Sequence, residues 1–314
     1  MGAPPYVSAD EVGQLVSMGD TVEALRGAFR VRHDDPPRAI VELTVDPAQP
    51  RTMLSMPSRL DGVGGCKLIS VFPENIAHGS PAIQGLYVLF SAIDGRVRAL
   101  FDGAALTGLR TPAASALATD YLASHEVTSL GVFGTGVQAA AHVEAMLAVR
   151  PGITSVVVSS GSNDRAINLA SQLAAAYGLD TSAGTARESA SCDIICACTK
   201  ATRALFDVGD IGPGTHINAV GAFRPDQLEI DASVVAGAAV FVDHLAAAQE
   251  EAGDLIQAAS GDGWGWDQVA GDLVDLVNGR RPTSDSPTLF KSVGLSIEDL
   301  VVARLAADRA GIAQ

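Results

Sequence analysis

Residues 131–139 read Gly131-Val-Phe-Gly-Thr-Gly-Val-Gln-Ala139, and the fold turns on this stretch. Before it runs Val127-Thr-Ser-Leu-Gly-Val-Phe133, apolar and of strand length. After it, residues 137–149 are rich in Ala, Leu and Met and stop at Arg150 and Pro151. Strand, glycine turn and helix in that order make a dinucleotide-binding fingerprint. Gly134 permits the tight turn, Gly136 lets the backbone approach a pyrophosphate, and Ala139 is small enough for the helix to pack on the strand. The pyrophosphate would sit on free N–H groups at the positive helix end, which makes Gly134, Thr135, Gly136, Val137 and Gln138 candidate cofactor contacts.

Downstream, strands and helices alternate. Ser155-Val-Val-Val158 is a strand, 164–177 a helix, and 193–197, His216-Ile-Asn-Ala-Val220 and Ala239-Val-Phe-Val242 are buried strands. The alternation predicts a parallel sheet covered on both faces, a Rossmann-type α/β domain over residues 118–289. An NAD-binding fold usually carries Asp or Glu at the end of its second strand to hold the ribose 2′-hydroxyl. Here Val158-Ser-Ser-Gly-Ser-Asn163 has no acid before Asp164. The small hydroxyls of Ser159 and Ser160 can accept a 2′-phosphate, although Arg165 is the nearest guanidinium. The missing acid favours NADP(H) over NAD(H). Residues 279–287 are polar and proline-punctuated, a loop.

Upstream lies a strand-rich α+β region over residues 1–117. Ser8-Ala-Asp-Glu11 opens a helix with a cap, and a second helix places Val22, Leu25, Ala28 and Phe29 on one face. His33-Asp-Asp-Pro-Pro37 breaks it. Extended segments follow at 38–44, 52–56, 65–72 and 85–91, and Asp94-Gly95 marks a hairpin. Leu109-Arg-Thr-Pro112 reads as the start of a linking helix, with Thr111 as N-cap and Pro112 at the first helical position. Arg110 would then stand just before a helix N-terminus, a good place to hold an anion. The last helix, over 296–310, is expected to open on a cap made by Ser296 and Asp299.

Composition narrows the function. The chain has 314 residues, 47% hydrophobic and 18% charged, enough for two domains with a sizeable core. A net charge of −15 argues against nucleic acid or an anionic membrane as partner. No apolar run reaches the roughly eighteen residues a membrane span needs. Met1-Gly-Ala-Pro-Pro-Tyr6 lacks the features of a signal peptide, and Tyr6 stands where a myristoylation signal wants Ser or Thr, so the cytoplasm is expected. The four cysteines (66, 192, 196 and 198) are too few and too clustered for a disulfide framework, Cys196 and Cys198 suit small buried hydrophobes better than a zinc site, and the six histidines show no metal spacing. No metal is expected.

With these residues in view, the chain resembles the ornithine cyclodeaminase/mu-crystallin family from its first helix to its last. The resemblance rests on Gly65-Cys-Lys-Leu-Ile-Ser-Val-Phe-Pro73, Leu106-Thr-Gly-Leu-Arg-Thr-Pro-Ala-Ala-Ser115 and residues 130–139. It continues through His216-Ile-Asn-Ala-Val-Gly221, Glu251-Ala-Gly-Asp-Leu255 and Thr288-Leu-Phe-Lys-Ser-Val-Gly294. It implies a substrate-binding and dimerisation domain, 1–117 joined by 290–314, around the Rossmann domain. It also implies a nicotinamide cofactor, a small amino- or imino-acid substrate, hydride transfer at the α-carbon, and a homodimer formed through the N-terminal sheet. Carried over by motif, Lys67 and Arg110 look like the catalytic pair gripping the substrate carboxylate, with Arg38 a further contact. Thr111 looks like a cofactor-phosphate contact, Thr199 and Val220 like further cofactor contacts, and Ser292 and Val293 like the nicotinamide edge.

Two departures bear on the reaction. The family's ornithine cyclodeaminases carry a glutamate two residues before the Met-Pro of the second strand and an aspartate two residues after the glycine of Asn-Ala-Val-Gly. Leu54 and Phe223 stand there instead, so cyclisation of ornithine is in doubt and a less polar substrate is implied. A guanidinium fork with an ammonium beside it can fix an α-imino acid by its carboxylate, and Lys67 or an ordered water could supply the proton to nitrogen. The leading expectation is an NAD(P)H-dependent oxidoreductase of a C–N bond, of ketimine reductase or amino-acid dehydrogenase type. The rivals are an ornithine cyclodeaminase-type ammonia-lyase using bound NAD and a mu-crystallin-like nucleotide-dependent binding protein.

Overall fold

The extended segments between residues 38 and 102 pair into one sheet. The computed structural model describes residues 3–33, 35–46, 51–283 and 286–312. Its chain divides into two units, Met1–Arg110 with Leu295–Gln314, and Thr111–Gly294. In the first, β1 (Tyr6–Val7) leads into α1 (Ala9–Leu15) and α2 (Met18–Ala28). Each helix opens on a capping box, Ser8 with Glu11 and Ser17 with Asp20. β2 (Ala39–Glu42), β3 (Thr52–Leu60), β4 (Val63–Val71), β5 (Ile83–Ser91) and β6 (Val97–Asp102) then form an antiparallel meander, and β1 joins β6 in parallel. Period-two alternation sorts the faces of this sheet. Met56, Ser58, Lys67, Tyr87 and Leu89 are buried beneath the helix Ser296–Arg309, which packs on β3, β4 and β5; Met53, Leu68 and Leu86 are exposed.

Two helix starts differ from the sequence expectation, and both bear on the site. α3 runs Gly103–Leu122, so Thr111 is not its N-cap and Pro112 lies inside it. Asp102 Oδ1 accepts the Ala105 N–H at 2.8 Å and so satisfies a first-turn donor, a signal the proline masked. The proline removes one intrahelical bond, which a helix of 20 residues tolerates. Arg110 is therefore a mid-helix side chain, not one stationed before a helix N-terminus. The final helix is likewise not capped by Ser296 and Asp299: its N-cap is Leu295, with no side-chain cap bond. The Asp299 carboxylate is engaged elsewhere, by Lys67.

The second unit starts from β7 (Ser129–Phe133), α4 (Val137–Val149), β8 (Ser155–Ser159), α5 (Asn163–Tyr177), β9 (Asp180–Ala183) and α6 (Ala186–Ala190). It continues with β10 (Ile194–Ala197), β11 (His216–Ala219), α7 (Ala232–Gly237), β12 (Ala239–Val242), α8 (Leu245–Glu251) and α9 (Gly253–Ala259). β13 (Gly271–Asp272), α10 (Leu273–Val277) and β14 (Thr288–Lys291) complete it; the last helix, above, is α11. The strands order β13-β12-β14-β11-β10-β7-β8-β9, all parallel. This is the Rossmann-type α/β fold that residues 131–139 predict. Every residue of β10, β11 and β14 is buried, as a sheet covered on both faces requires. The chain reverses direction of travel between β7 and β10, and ligands of such sheets bind at the carboxyl edge of that switch point.

His142 and His216 are core residues of this unit, drawn down to about 4 and about 3 by burial and hence neutral. Cys196 is buried in β10, and burial pushes its thiol up to about 12. The loop expected over 279–287 includes residues 284 and 285, which lie outside the described residues. Among the described residues no helix is long and apolar enough to cross a membrane, and no metal-ligating cluster is gathered.

Candidate active site

The first unit buries a lysine and an arginine together with two acids. β4 presents Lys67, 1% exposed, to the face covered by α11, and α3 contributes Arg110, 6% exposed. The first turn of α11 answers them. Lys67 Nζ lies 2.8 Å from Asp299 Oδ2, and it also donates to Thr107 Oγ1 at 3.2 Å. Arg110 Nη1 donates to Glu298 Oε2 at 2.7 Å, with its Nε 3.5 Å from Asp299 Oδ1. Both carboxylates are fully buried. Stripping one partner from a buried pair costs about 3–5 kcal/mol, so the set holds together as a unit.

The cations nevertheless repel one another. Burial first, then the nearby charges of Arg110 and Arg38, pull the Lys67 ammonium down to about 8, against the opposing pull of Asp299. Arg38 is half-buried just before β2, and its field reaches Lys67. A third acid belongs to this cluster: Asp35 accepts the Ser58 hydroxyl at 2.8 Å, and its charge, like that of Asp299, reaches Tyr87. Glu298 and Asp299 escaped the sequence reading because a Ser-x-x-Asp opening is the ordinary signature of a helix cap. Two adjacent acids opening a helix that buries Leu300, Val301, Val302 and Ala303 were the available clue.

The second unit carries the nucleotide features. Gly134 sits at φ +107°, and a Cβ there would come within 2.6 Å of the Cys198 carbonyl; its N–H donates to the Ser159 carbonyl at 2.9 Å, tying the turn to the end of β8. Gly136 is the N-cap of α4, offers no side-chain cap, and has open space where a Cβ would stand. Thr135 and Gln138 are half-buried and Val137 is exposed. A cleft of about 670 Å³ opens at the carboxyl ends of β7 to β10, walled by Ser159, Ser160, Gly161, Thr185, Thr199, Lys200 and Arg203 among others. An uncapped helix start, a glycine cradle and a cleft of this size fit a dinucleotide.

The other predicted contacts sit on the same unit. Val220 and Phe223 follow β11, Phe223 half-buried with its N–H donating to Gln227 Oε1 at 3.1 Å; Thr111 is buried in α3. Ser292 and Val293 follow β14 and are pinned by a residue the sequence reading missed. Asp243 Oδ2 accepts the Ser292 hydroxyl at 2.9 Å and the Val293 and Gly294 N–H groups at 2.7 Å each.

A model of the ornithine cyclodeaminase/mu-crystallin family matches residues 5–313. The chain belongs to this family. A Δ1-pyrroline-2-carboxylate reductase of Colwellia psychrerythraea is 33% identical over 305 residues, 95% of this chain and 96% of that one. Among solved structures, the Thermococcus litoralis Δ1-pyrroline-2-carboxylate reductase in complex with NADH and L-proline superposes with TM-score 0.92 at 30% identity, over 99% of each chain. The Paracoccus denitrificans iminosuccinate reductase in complex with NAD+ superposes with TM-score 0.87 at 27% identity, over 99% of this chain and 98% of that one. All three are named as reductases, and the two solved structures hold NADH or NAD+.

Proposed function

We propose that this chain reduces a cyclic α-imino acid of the Δ1-pyrroline-2-carboxylate type. More broadly, it is an NAD(P)H-dependent oxidoreductase acting on the C–N bond of a small imino or amino acid, in line with the reductases it is similar to. The observation that supports the narrower reading is the likeness, at TM-score 0.92 over 99% of each chain, to the Thermococcus litoralis Δ1-pyrroline-2-carboxylate reductase in complex with NADH and L-proline, together with a buried Lys67 and Arg110 able to take a carboxylate. Leu54 and Phe223, standing where cyclodeaminases carry acids, leave no carboxylate there for a side-chain amine, which favours an apolar ring.

The nicotinamide, when bound, supplies hydride to the imine carbon. The chain's own residues do the rest. Arg110 and Lys67 hold the carboxylate and so orient the C=N bond. Lys67, lowered to about 8, keeps a proton on Nζ at neutral pH and passes it to the imine nitrogen. Gly134, Gly136 and the first turn of α4 would hold the pyrophosphate; Thr111, Thr199, Val220, Ser292 and Val293 would line the remainder.

The test supplies the imino acid with NADH or NADPH and follows cofactor absorbance. Oxidation of the cofactor supports the reading. Ammonia release from ornithine at constant cofactor redox state would favour the cyclodeaminase, and nucleotide binding without turnover the mu-crystallin-like binding protein. NADPH should show a KM roughly ten-fold or more below that of NADH, because Ser159 and Ser160 replace the acid and Lys200 and Arg203 stand in the same cleft wall.

The protein is also proposed to be a cytoplasmic homodimer. In the first unit's sheet, exposed Leu68 pairs with exposed Leu86, and exposed Val41 with exposed Met53, an apolar face for a second copy. Light scattering at micromolar concentration should give twice the chain mass; a monomer overturns this.

A further inference from the structure

Glu229 belongs to none of the motifs, yet it is fully buried and carries four hydrogen bonds on one carboxylate. Its Oε1 accepts the Thr199 N–H at 2.6 Å and the Thr199 hydroxyl at 2.7 Å. Its Oε2 accepts the Gly221 N–H at 2.6 Å and the Ala222 N–H at 3.1 Å. Thr199 follows β10 and Gly221 follows β11, so one carboxylate clasps the loops leaving two adjacent strands at their carboxyl ends. The approach is close enough to demand glycine: a Cβ on Gly221 would lie 2.5 Å from Glu229 Oε1 and run into the Thr199 carbonyl.

The clasp is itself anchored from behind. Asp254 Oδ1 accepts the N–H groups of Glu229 at 2.6 Å and Ile230 at 2.9 Å, fixing the backbone that aims Glu229. Asp254 Oδ2 lies 2.7 Å from Lys291 Nζ, and both residues are fully buried. Lys291 ends β14 and precedes Ser292 and Val293. The loops after β10 and β11 and the end of β14 are thus coupled through a lysine and two carboxylates. Burial raises the Glu229 carboxyl and the Lys291 charge opposes that rise; four donors aimed at two oxygens favour its ionised form.

We infer that Glu229 is a positioning residue for the dinucleotide: by bridging Thr199 to Gly221 and Ala222 it fixes the carboxyl edge of β10 and β11 on which the nicotinamide half is to lie. The inference rests on the proposed nicotinamide-dependent function and deepens it. A free loop must be ordered when ligand binds, and that ordering is subtracted from affinity. A loop already held contributes its contacts without that loss.

The test uses the full chain and three readouts. In the nucleotide-free wild type, the Thr199, Gly221 and Ala222 amides should exchange hydrogen as slowly as those of β10 and β11; exchange at the rate of exposed loops overturns the inference without any variant. Glu229→Gln keeps the volume but sets an NH2 group against one of the two sets of donors. It should raise the NADH and NADPH dissociation constants about ten-fold or more in calorimetry, since each buried donor left unmatched is costly. Unchanged affinity overturns the inference, even if the melting temperature falls, since that is a purely structural role. Glu229→Asp keeps the charge but is too short to span both loops and should behave like Gln; wild-type affinity there would show that charge, not the bridge, matters, and would overturn it too. A wild type that binds neither nucleotide fails the parent reading, whereas normal wild-type binding with an indifferent Gln variant fails only this one.

Discussion

Gly136→Asp should abolish detectable nucleotide binding while leaving the melting temperature within a few degrees of wild type. The backbone supports the second half of that expectation. Gly136 has φ −87° and ψ −177°, ordinary extended values, and a Cβ built on it meets nothing within 4 Å. Any side chain can stand there, so this glycine is not required by the fold. It is required by what must come close to it. The aspartate would place a fixed negative charge at the N-terminus of α4, in the path of a pyrophosphate that carries the same sign. A loss of at least about a hundred-fold in affinity, or roughly 2.7 kcal/mol, is expected in calorimetry with NADH or NADPH. Gly136→Ala should cost only a few-fold. Gly134→Ala should behave in the opposite way: with φ +107° and the Cys198 carbonyl in the way, it strains the protein itself and should lower the melting temperature. If Gly136→Asp binds nucleotide normally, the pyrophosphate does not lie on this turn.

The strand, turn and helix that hold these two glycines were legible because their order follows from local spacing. The same holds for the Ser8–Glu11 box and the Asp94-Gly95 turn, whose partners are four residues away or fewer. The errors arose where a competing cap upstream or a long-range partner overrode a local rule. Pro112 is a good first helical residue in isolation, but Asp102 had already opened α3. Ser296 and Asp299 spell a cap, yet Lys67 on β4 takes the aspartate. Glu229, Asp254 and Lys291 lie on three separate stretches, and nothing in any one of them announces the other two. Buried charge is expensive unless it is paired, so the pairing is dictated by the tertiary fold and becomes legible only there.

The same logic governs the carboxylate site. Arg110→Ala should cut kcat/KM by roughly thirty- to a thousand-fold, the equivalent of about 2–4 kcal/mol, while nucleotide affinity stays within a few-fold. Part of that loss is indirect, because the variant leaves Glu298 buried without its 2.7 Å partner. Arg110→Ala combined with Glu298→Gln removes that stranded charge and so isolates the loss of substrate contact; kcat/KM should remain depressed even as the melting temperature recovers. Arg110→Lys should not rescue fully, since an ammonium cannot reproduce the fork. Lys67→Ala should show a comparable loss, and the Arg110→Ala/Lys67→Ala pair less than the sum, because both groups share one ligand. Lys67 carries an additional signature. Its ammonium is lowered to about 8, so the fraction able to donate a proton falls as pH rises through that value, and imine reduction should fall with it. Lys67→Met, which cannot titrate, should lose that limb of the profile along with most of the rate. If instead Arg110→Ala raises the nucleotide dissociation constant and Lys67→Ala does not, Arg110 serves the cofactor diphosphate. If neither variant changes turnover or binding, the substrate carboxylate is held elsewhere, and the buried ion pairs beneath α11 serve the fold alone.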